Sequence, residues 1–228
     1  MKVALIERDK LGGTCLHRGC VPTKALLHAA EVADSARAAG GFGIEVEFQG
    51  VDMPKVLDFK QGIIDRNYKG LQGLVKARGI DCIAGEGKLV SEDTVEVTND
   101  EGTMKVTGTH MVLATGSTSK TIGIDIRDRV MTSEQALTYD EVPESAVVLG
   151  GGVIGVEFAS VWASFGSKVT IVEGLPHLVA NEDESISKAL EKAFKKRKIG
   201  YQVGVKFDSV EQDDSGVHVK LEDGSVID

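Results

Sequence analysis

The chain has no apolar run near the roughly 18 residues that a bilayer-spanning helix needs, and Met1-Lys2-Val3-Ala4-Leu5-Ile6-Glu7 becomes charged too soon for a signal peptide. No membrane role is expected. Basic character is also short: the formal net charge is −9, which argues against a nucleic-acid partner. The one basic run, Lys192 to Lys198, falls late in a helical pattern, where cations offset the helix dipole, so a solvated helix end is expected there. Proline is scarce at 4 residues against 27 glycines, a globular balance that suits tight turns and close backbone approach to ligands. There are only 3 cysteines, and an odd number excludes the paired framework of a small secreted domain. No second cysteine pair or histidine cluster completes a four-ligand zinc site. A close pair plus an isolated Cys82 suggests instead a cytoplasmic protein with a catalytic dithiol and one inert core thiol.

What is present centres on Gly12-Gly13-Thr14-Cys15-Leu16-His17-Arg18-Gly19-Cys20-Val21-Pro22-Thr23-Lys24. Two thiols at this spacing can close a small ring and be reopened, and one turn of a helix starting nearby brings the sulfurs within bonding reach. Thiolate formation is helped by a helix N-terminus and by nearby cations. After this segment, helical spacing runs from Val21 to about Ala39 and again from Asp52 to Arg78, each stopped by glycine. Strand signals follow at Asp81–Ala84, Thr94–Thr98 and in the apolar run His110–Ala114, which Thr115-Gly116-Ser117 closes. Ser145–Leu149 reads as a buried parallel strand. A glycine turn, an apolar helix to Phe165, a strand at Lys168–Val172 and a helix over Ser185–Lys198 come next. Alternating strands and helices indicate an α/β fold with parallel sheets. At 228 residues there is room for two modest domains, with a boundary near Lys120–Val142.

Gly150-Gly151-Gly152-Val153-Ile154-Gly155 satisfies G-x-G-x-x-G, follows a strand and opens a helix, and Glu173 ends the next strand about 20 residues on. In that context Gly150 permits the turn, Gly152 admits the pyrophosphate and Gly155 allows close helix–strand packing. The helix N-terminus faces the phosphates. Glu173 suits ribose hydroxyls and repels a 2′-phosphate, favouring NAD over NADP. Lys2–Glu7 repeats the pattern of Lys168–Glu173, yet no glycine fingerprint precedes it. The expectation is a fragment whose first nucleotide-binding domain lacks its first strand and phosphate loop.

Taken in order, Gly12-Gly13-Thr14-Cys15 to Cys20-Val21-Pro22-Thr23-Lys24, Ala114-Thr115-Gly116-Ser117 and Gly150 to Glu157 resemble the flavin-dependent pyridine nucleotide–disulfide oxidoreductases. Within that family the chain is most similar to the branch that oxidises dihydrolipoamide for the 2-oxo acid dehydrogenase complexes. The resemblance implies two Rossmann-like domains with parallel sheets, an incomplete FAD-binding domain over 1–119 and an NAD-binding domain over 120–228. It implies Cys15 as the thiol that exchanges with substrate, Cys20 as the one facing flavin, Lys24 beside the flavin and Glu157 as its acidic partner near the nicotinamide. It further implies that Glu7, Gly12, Gly13, Thr14, Lys24, Gly87, Thr115, Gly116 and Ser117 contact FAD. Gly150, Gly152, Val153, Ile154, Gly155, Glu173 and the segment at Phe207 contact NAD.

The implied function is oxidation of dihydrolipoamide, carried on a lipoyl domain, by NAD⁺ through the cysteine pair and FAD, in a homodimer. The family's histidine base, supplied by a C-terminal interface domain, has no counterpart here. His177 and Glu182 show an H-x-x-x-x-E spacing but lie just past Glu173, as a surface loop, and His17 is expected to fill the cysteine loop. The chain alone is therefore expected to hold FAD poorly and turn over weakly. The alternatives are a related glutathione-, thioredoxin- or mercury-reducing enzyme, or a non-catalytic nucleotide-binding or redox-sensing module. Flavin colour bleached by NADH separates enzyme from module.

Overall fold

The helical pattern that begins at the second cysteine folds as α2 (Cys20–Ala38), and the next as α3 (Met53–Ala77). Gly79, at φ +62, ends α3 in a backbone conformation that side-chain-bearing residues avoid. This computed structural model describes all of residues 1–228. The residues form two compact units, Met1–Pro22 with Gln61–Thr118 and Thr23–Lys60 with Ser119–Asp228. The sequence reading places one boundary after residue 119; residues 23–60 instead group with the later part of the chain. Each helical pattern is continuous through a unit border, so periodicity gave no sign of it.

In the first unit, β1 (Ala4–Glu7) pairs in parallel with β2 (Asp81–Ala84), Glu7 standing opposite Ala84. A short helix, α1 (Gly13–His17), carries the first cysteine. An antiparallel meander follows: β3 (Glu86–Ser91), β4 (Thr94–Asn99) and β5 (Gly102–Thr107). Gly85, at φ +153, is required at its entry, because a Cβ there would stand 2.7 Å from Val97 Cγ1 and 2.8 Å from the Thr98 carbonyl oxygen. The run His110–Ala114 is not a strand. A continuous apolar run becomes a buried strand only where a neighbour supplies the ladder and other elements cover both faces. Neither β1 nor β2 pairs with it, and Val112 is 89% and Leu113 68% exposed. The same open sheet corrects the expectation for Cys82, which is exposed on β2 rather than buried.

The second unit holds a three-stranded parallel sheet in the order β6 (Ser145–Leu149), β7 (Lys168–Glu173), β8 (Gly200–Val203). The connections are α5 (Val153–Phe165) and α6 (Glu184–Lys196), the alternation expected from sequence. Gly166, at φ +120, closes α5 by donating its N–H to the Trp162 and Ala163 carbonyls. Asp183 caps α6, accepting from the Ser185 N–H. Phe158, Ala159, Val161, Trp162 and Phe165 of α5 form the main core with Leu26 and Ala30 of α2, Val169 and Ile171 of β7, and Phe194 of α6. Trp162 meets Tyr139 and Phe165 edge-on, ring centroids 6.2 Å apart in both cases. The four-residue helix α4 (Ser133–Ala136) starts with a capping box between Thr132 and Gln135. At its other end Lys60, 5% exposed, donates to the Leu137 carbonyl, and burial pushes its ammonium pKa down.

An antiparallel sheet of β9 (Phe207–Asp213), β10 (Gly216–Leu221) and β11 (Val226–Ile227) completes the unit. His218 on β10 lies between two carboxylates, Nδ1 2.6 Å from Asp228 and Nε2 3.3 Å from Asp213. The hydrogen bond to Asp228, then that to Asp213, raises its pKa above 6.5, while Ser215 and His218 hold Asp213 well below the carboxylate range. A raised histidine pKa stabilises the fold fully below the unfolded value and loses that contribution as pH rises through the folded one. The melting temperature should therefore fall as pH is raised from mildly acidic to mildly alkaline. His218→Gln should flatten that slope, and a slope unchanged in the variant would show that another group titrates.

Candidate functional site

Cys15 lies on α1, which Gly12 and Gly13 enter in left-handed conformations at φ +104 and +57. A Cβ on Gly12 would stand 2.5 Å from Leu16 Cδ2, so the turn needs glycine for space as well as for its dihedral. Cys20 is the first residue of α2. The two cysteines are joined as a disulfide, their Cα atoms 4.7 Å apart. Both are exposed, so burial does not distinguish them. Reduction would leave Cys20 at the N-terminus of a 19-residue helix, whose positive end favours thiolate over thiol. His17 packs edge-on against Tyr68, centroids 5.0 Å apart, and its Nε2 donates to the Leu11 carbonyl at 2.8 Å. The ring fills and ties the cysteine loop, as expected.

Four residues beyond Cys20 on the same helix, Lys24 pairs with Glu157 of α5. The lysine head is largely exposed and the glutamate mostly covered, so the carboxylate is the fixed partner and the ammonium the mobile one. Glu157 is held in the first turns of α5, just after the glycine turn.

That turn is built as the fingerprint requires. Gly150 has φ +109, and its N–H donates to the Val172 carbonyl at 2.8 Å. A Cβ on Gly155 would run into the Gly150 carbonyl oxygen, the close approach that only glycine permits. Around Gly152 a Cβ would meet nothing within 4 Å, leaving the opening a pyrophosphate needs. Val153 and Ile154 are exposed beside it. Glu173 ends β7 with Oε2 accepting from the Gly151 N–H at 2.6 Å and Oε1 from Leu175 N–H at 2.7 Å. Two donors fix the carboxylate and leave lone pairs for two ribose hydroxyls. Nicotinamide dinucleotide chemistry therefore fits this cradle.

Gly151, which the fingerprint leaves unassigned, is as constrained as its neighbours. A Cβ there would stand 2.5 Å from Leu178 Cδ2 and 3.1 Å from Glu173 Cβ. Its carbonyl accepts from Val179 N–H at 2.7 Å, and Val179 holds a left-handed φ of +45, costly for a β-branched residue. The middle glycine of Gly150-Gly151-Gly152 was the available signal. Phe207 starts β9 and packs in a small cluster with Val172, Val219 and Leu221. His177 faces Glu191 at 3.5 Å and Glu184 at 3.8 Å rather than Glu182.

Of the residues expected at flavin, Glu7 ends β1 and accepts from the Asp9 N–H at 2.9 Å. Gly87 lies on β3, where a Cβ would meet Ile6 Cγ2 at 3.1 Å. Thr115, Gly116 and Ser117 lie in exposed irregular chain, Gly116 at φ +77. The glycine fingerprint occurs once, at Gly150–Gly155.

Comparison with known proteins gives a consistent match. The family described as pyridine nucleotide-disulphide oxidoreductase matches residues 1–228. A dihydrolipoyl dehydrogenase of Bacillus subtilis is 38% identical over 217 residues, covering 90% of this chain and 46% of that protein. A mitochondrial dihydrolipoyl dehydrogenase of Arabidopsis thaliana is 37% identical over 227 residues, 97% of this chain and 45% of that one. LpdA of Mycobacterium tuberculosis shares the fold at TM-score 0.89 and 24% identity, over 99% of this chain and 50% of that chain. The HOCl-induced flavoprotein disulfide reductase RclA of Escherichia coli matches at TM-score 0.78 and 26% identity, over 100% and 49%. The chain spans about half the length of the curated relatives it matches.

Proposed function

The chain belongs to the pyridine nucleotide-disulphide oxidoreductase family, and from that membership we propose that it carries the dithiol centre and the NAD cradle of a dihydrolipoamide-oxidising flavoenzyme. The observation that carries this reading is the Cys15–Cys20 disulfide at the head of the helix that bears Lys24, itself paired with Glu157. The flavin-facing residues fall within 1–119 and the NAD-facing ones within 120–228. The partner is a lipoyl-bearing component of a 2-oxo acid dehydrogenase complex, and the cytoplasm is the proposed setting.

Exchange begins when one thiolate of dihydrolipoamide attacks Cys15 Sγ, forming a mixed disulfide and releasing Cys20 as thiolate. The second substrate thiolate then displaces Cys15, leaving oxidised cyclic lipoamide and two reduced cysteines. Two electrons have passed from substrate to chain, and the helix N-terminus stabilises the Cys20 anion throughout. Bound FAD and NAD supply the two-electron and hydride chemistry that carries those electrons onward. Glu7, Gly12, Gly13, Thr14, Gly87, Thr115, Gly116 and Ser117 would hold the first, and Gly150, Gly152, Val153, Ile154, Gly155, Glu173 and the Phe207 segment the second. Lys24 places a positive charge one turn from Cys20, and Glu157 holds that lysine.

The reaction run backwards gives the test. The purified chain is incubated with saturating FAD and NADH, and thiols are counted after denaturation. Two new thiols per chain, absent when Cys15 is replaced by serine, are expected. NADH binding without thiol release would leave only a nucleotide-binding module and overturn the reading.

A further inference from the structure

The geometry points to Asp34, Ser164 and Arg197 as positioning residues that hold the Lys24–Glu157 pair together from the far end of the same two helices. Lys24 and Asp34 lie ten residues apart on α2, about 15 Å along its axis. Glu157 and Ser164 lie seven apart on α5, about 10 Å. The helices are therefore pinned at two levels, by Lys24 with Glu157 and by Asp34 with Ser164.

The two levels are not equal. A largely exposed lysine on a flexible stem gives an ion pair that is weak alone and screened by salt. At the other level Ser164 is 3% exposed, and its hydroxyl donates to Asp34 Oδ2 at 2.6 Å while accepting from Arg197 Nη2 at 2.7 Å. Arg197 also donates to the Ser160 hydroxyl at 2.5 Å and the Ser160 carbonyl at 3.1 Å. Arg37 donates to Asp34 Oδ1 at 3.1 Å and to the Ser164 carbonyl at 2.6 Å, with its guanidinium 4.1 Å from the Phe48 ring centroid. Both carboxylate oxygens of Asp34 are thus engaged between two arginines.

Apolar packing and this lock act side by side. The buried cluster that α2 and α5 share runs from Leu26 and Ala30 to Phe158, Ala159 and Trp162, and the lock lines an open cleft beside it, where Asp34, Ser164 and Arg197 stand with Leu27, Ala30 and Ser160. Removing the Asp34 carboxylate also leaves two guanidinium groups without their shared counter-charge and the buried hydroxyl without its acceptor. Arg197 came from the run expected to be a solvated helix end, and it is instead the cross-link from the end of α6.

The role of the pair as electron-site chemistry rests on the proposed function, but its integrity is measurable without flavin. Trace acetylation of Lys24 by acetic anhydride is followed by mass spectrometry at fixed pH, in low and high salt. Screening frees a paired amine, so in the parent high salt should speed Lys24 labelling about two- to fivefold. Glu157→Gln should remove that salt response. Asp34→Ala and, independently, Ser164→Ala should bring it close to the Glu157→Gln level, while Lys55, paired with Asp52 at 2.8 Å, keeps its own response. A Lys24 salt response unchanged in both Asp34→Ala and Ser164→Ala overturns the proposal, and so does a parent with no response at all. If NADH fails to release thiols while the Lys24 shift is seen, the functional reading falls and the positioning role stands.

Discussion

Gly155→Ala should destabilise the chain by about 3 kcal/mol or more and abolish NADH binding. Overpacking in a core is usually relieved by a side chain turning aside. Here the added methyl would run into the Gly150 carbonyl oxygen, a backbone atom tied into the turn through the Gly150 N–H bond to Val172. The turn must open for the methyl to fit, and opening it disperses the N–H groups at the start of α5. Gly152→Ala supplies the contrast. Gly152 has φ −72, compatible with alanine, and its Cβ would meet nothing within 4 Å. Lost cap preference and reduced unfolded-chain freedom oppose each other, so stability should stay within about 1 kcal/mol of the parent. The methyl nevertheless stands in the opening meant for a pyrophosphate, so NADH binding should weaken sharply. Urea melts and NADH titration of both variants check the pair. Equal stability losses would show that the glycines serve the same purpose.

Replacing either cysteine by serine should abolish the NADH-driven release of thiols measured with added FAD, since a hydroxyl neither ionises at neutral pH nor forms the exchangeable bond. The two variants should differ in what they trap. With Cys20→Ser in a Cys82→Ser background, Cys15 can take up half of an open-chain aryl disulfide such as dithiodipyridine, whose other half departs as the thione, and no neighbouring thiol can release it, so a stable adduct should accumulate. With Cys15→Ser in the same background the adduct should form much more slowly if Cys20 faces the flavin. Intact-mass measurement distinguishes these outcomes. Equal trapping in both would remove the proposed direction, because both residues are solvent-exposed in this chain.

The local chemistry was readable to the residue in places. Apolar spacing located α2, α3 and α5, and the glycine fingerprint anticipated both the left-handed Gly150 and the tight Gly155. Such features depend on neighbours in sequence. Features set by distant partners were not legible. His110–Ala114 has a strand composition, yet lacks a pairing edge; Cys82 looks like a core thiol until its sheet is seen to have one neighbour. Arg197 carries the same charge as the lysines around it, and only the approach of Ser160 and Ser164 separates it from them. Lys60 sits on a helix pattern rich in charge, and nothing local marks it as the lysine that must satisfy Leu137.

The interleaving of the two compact units also limits how this architecture can be taken apart. A cut after residue 119 would separate Leu26, Ala30 and Met53 from the buried cluster around Trp162 that they help to fill. The later half would be left with an uncovered core rather than a self-contained module. Transferring the NAD-side unit as a genetic cassette would need two cuts and a new join between residues 60 and 119. Recombination at a single crossover point cannot supply that, so one exchange always carries parts of both units.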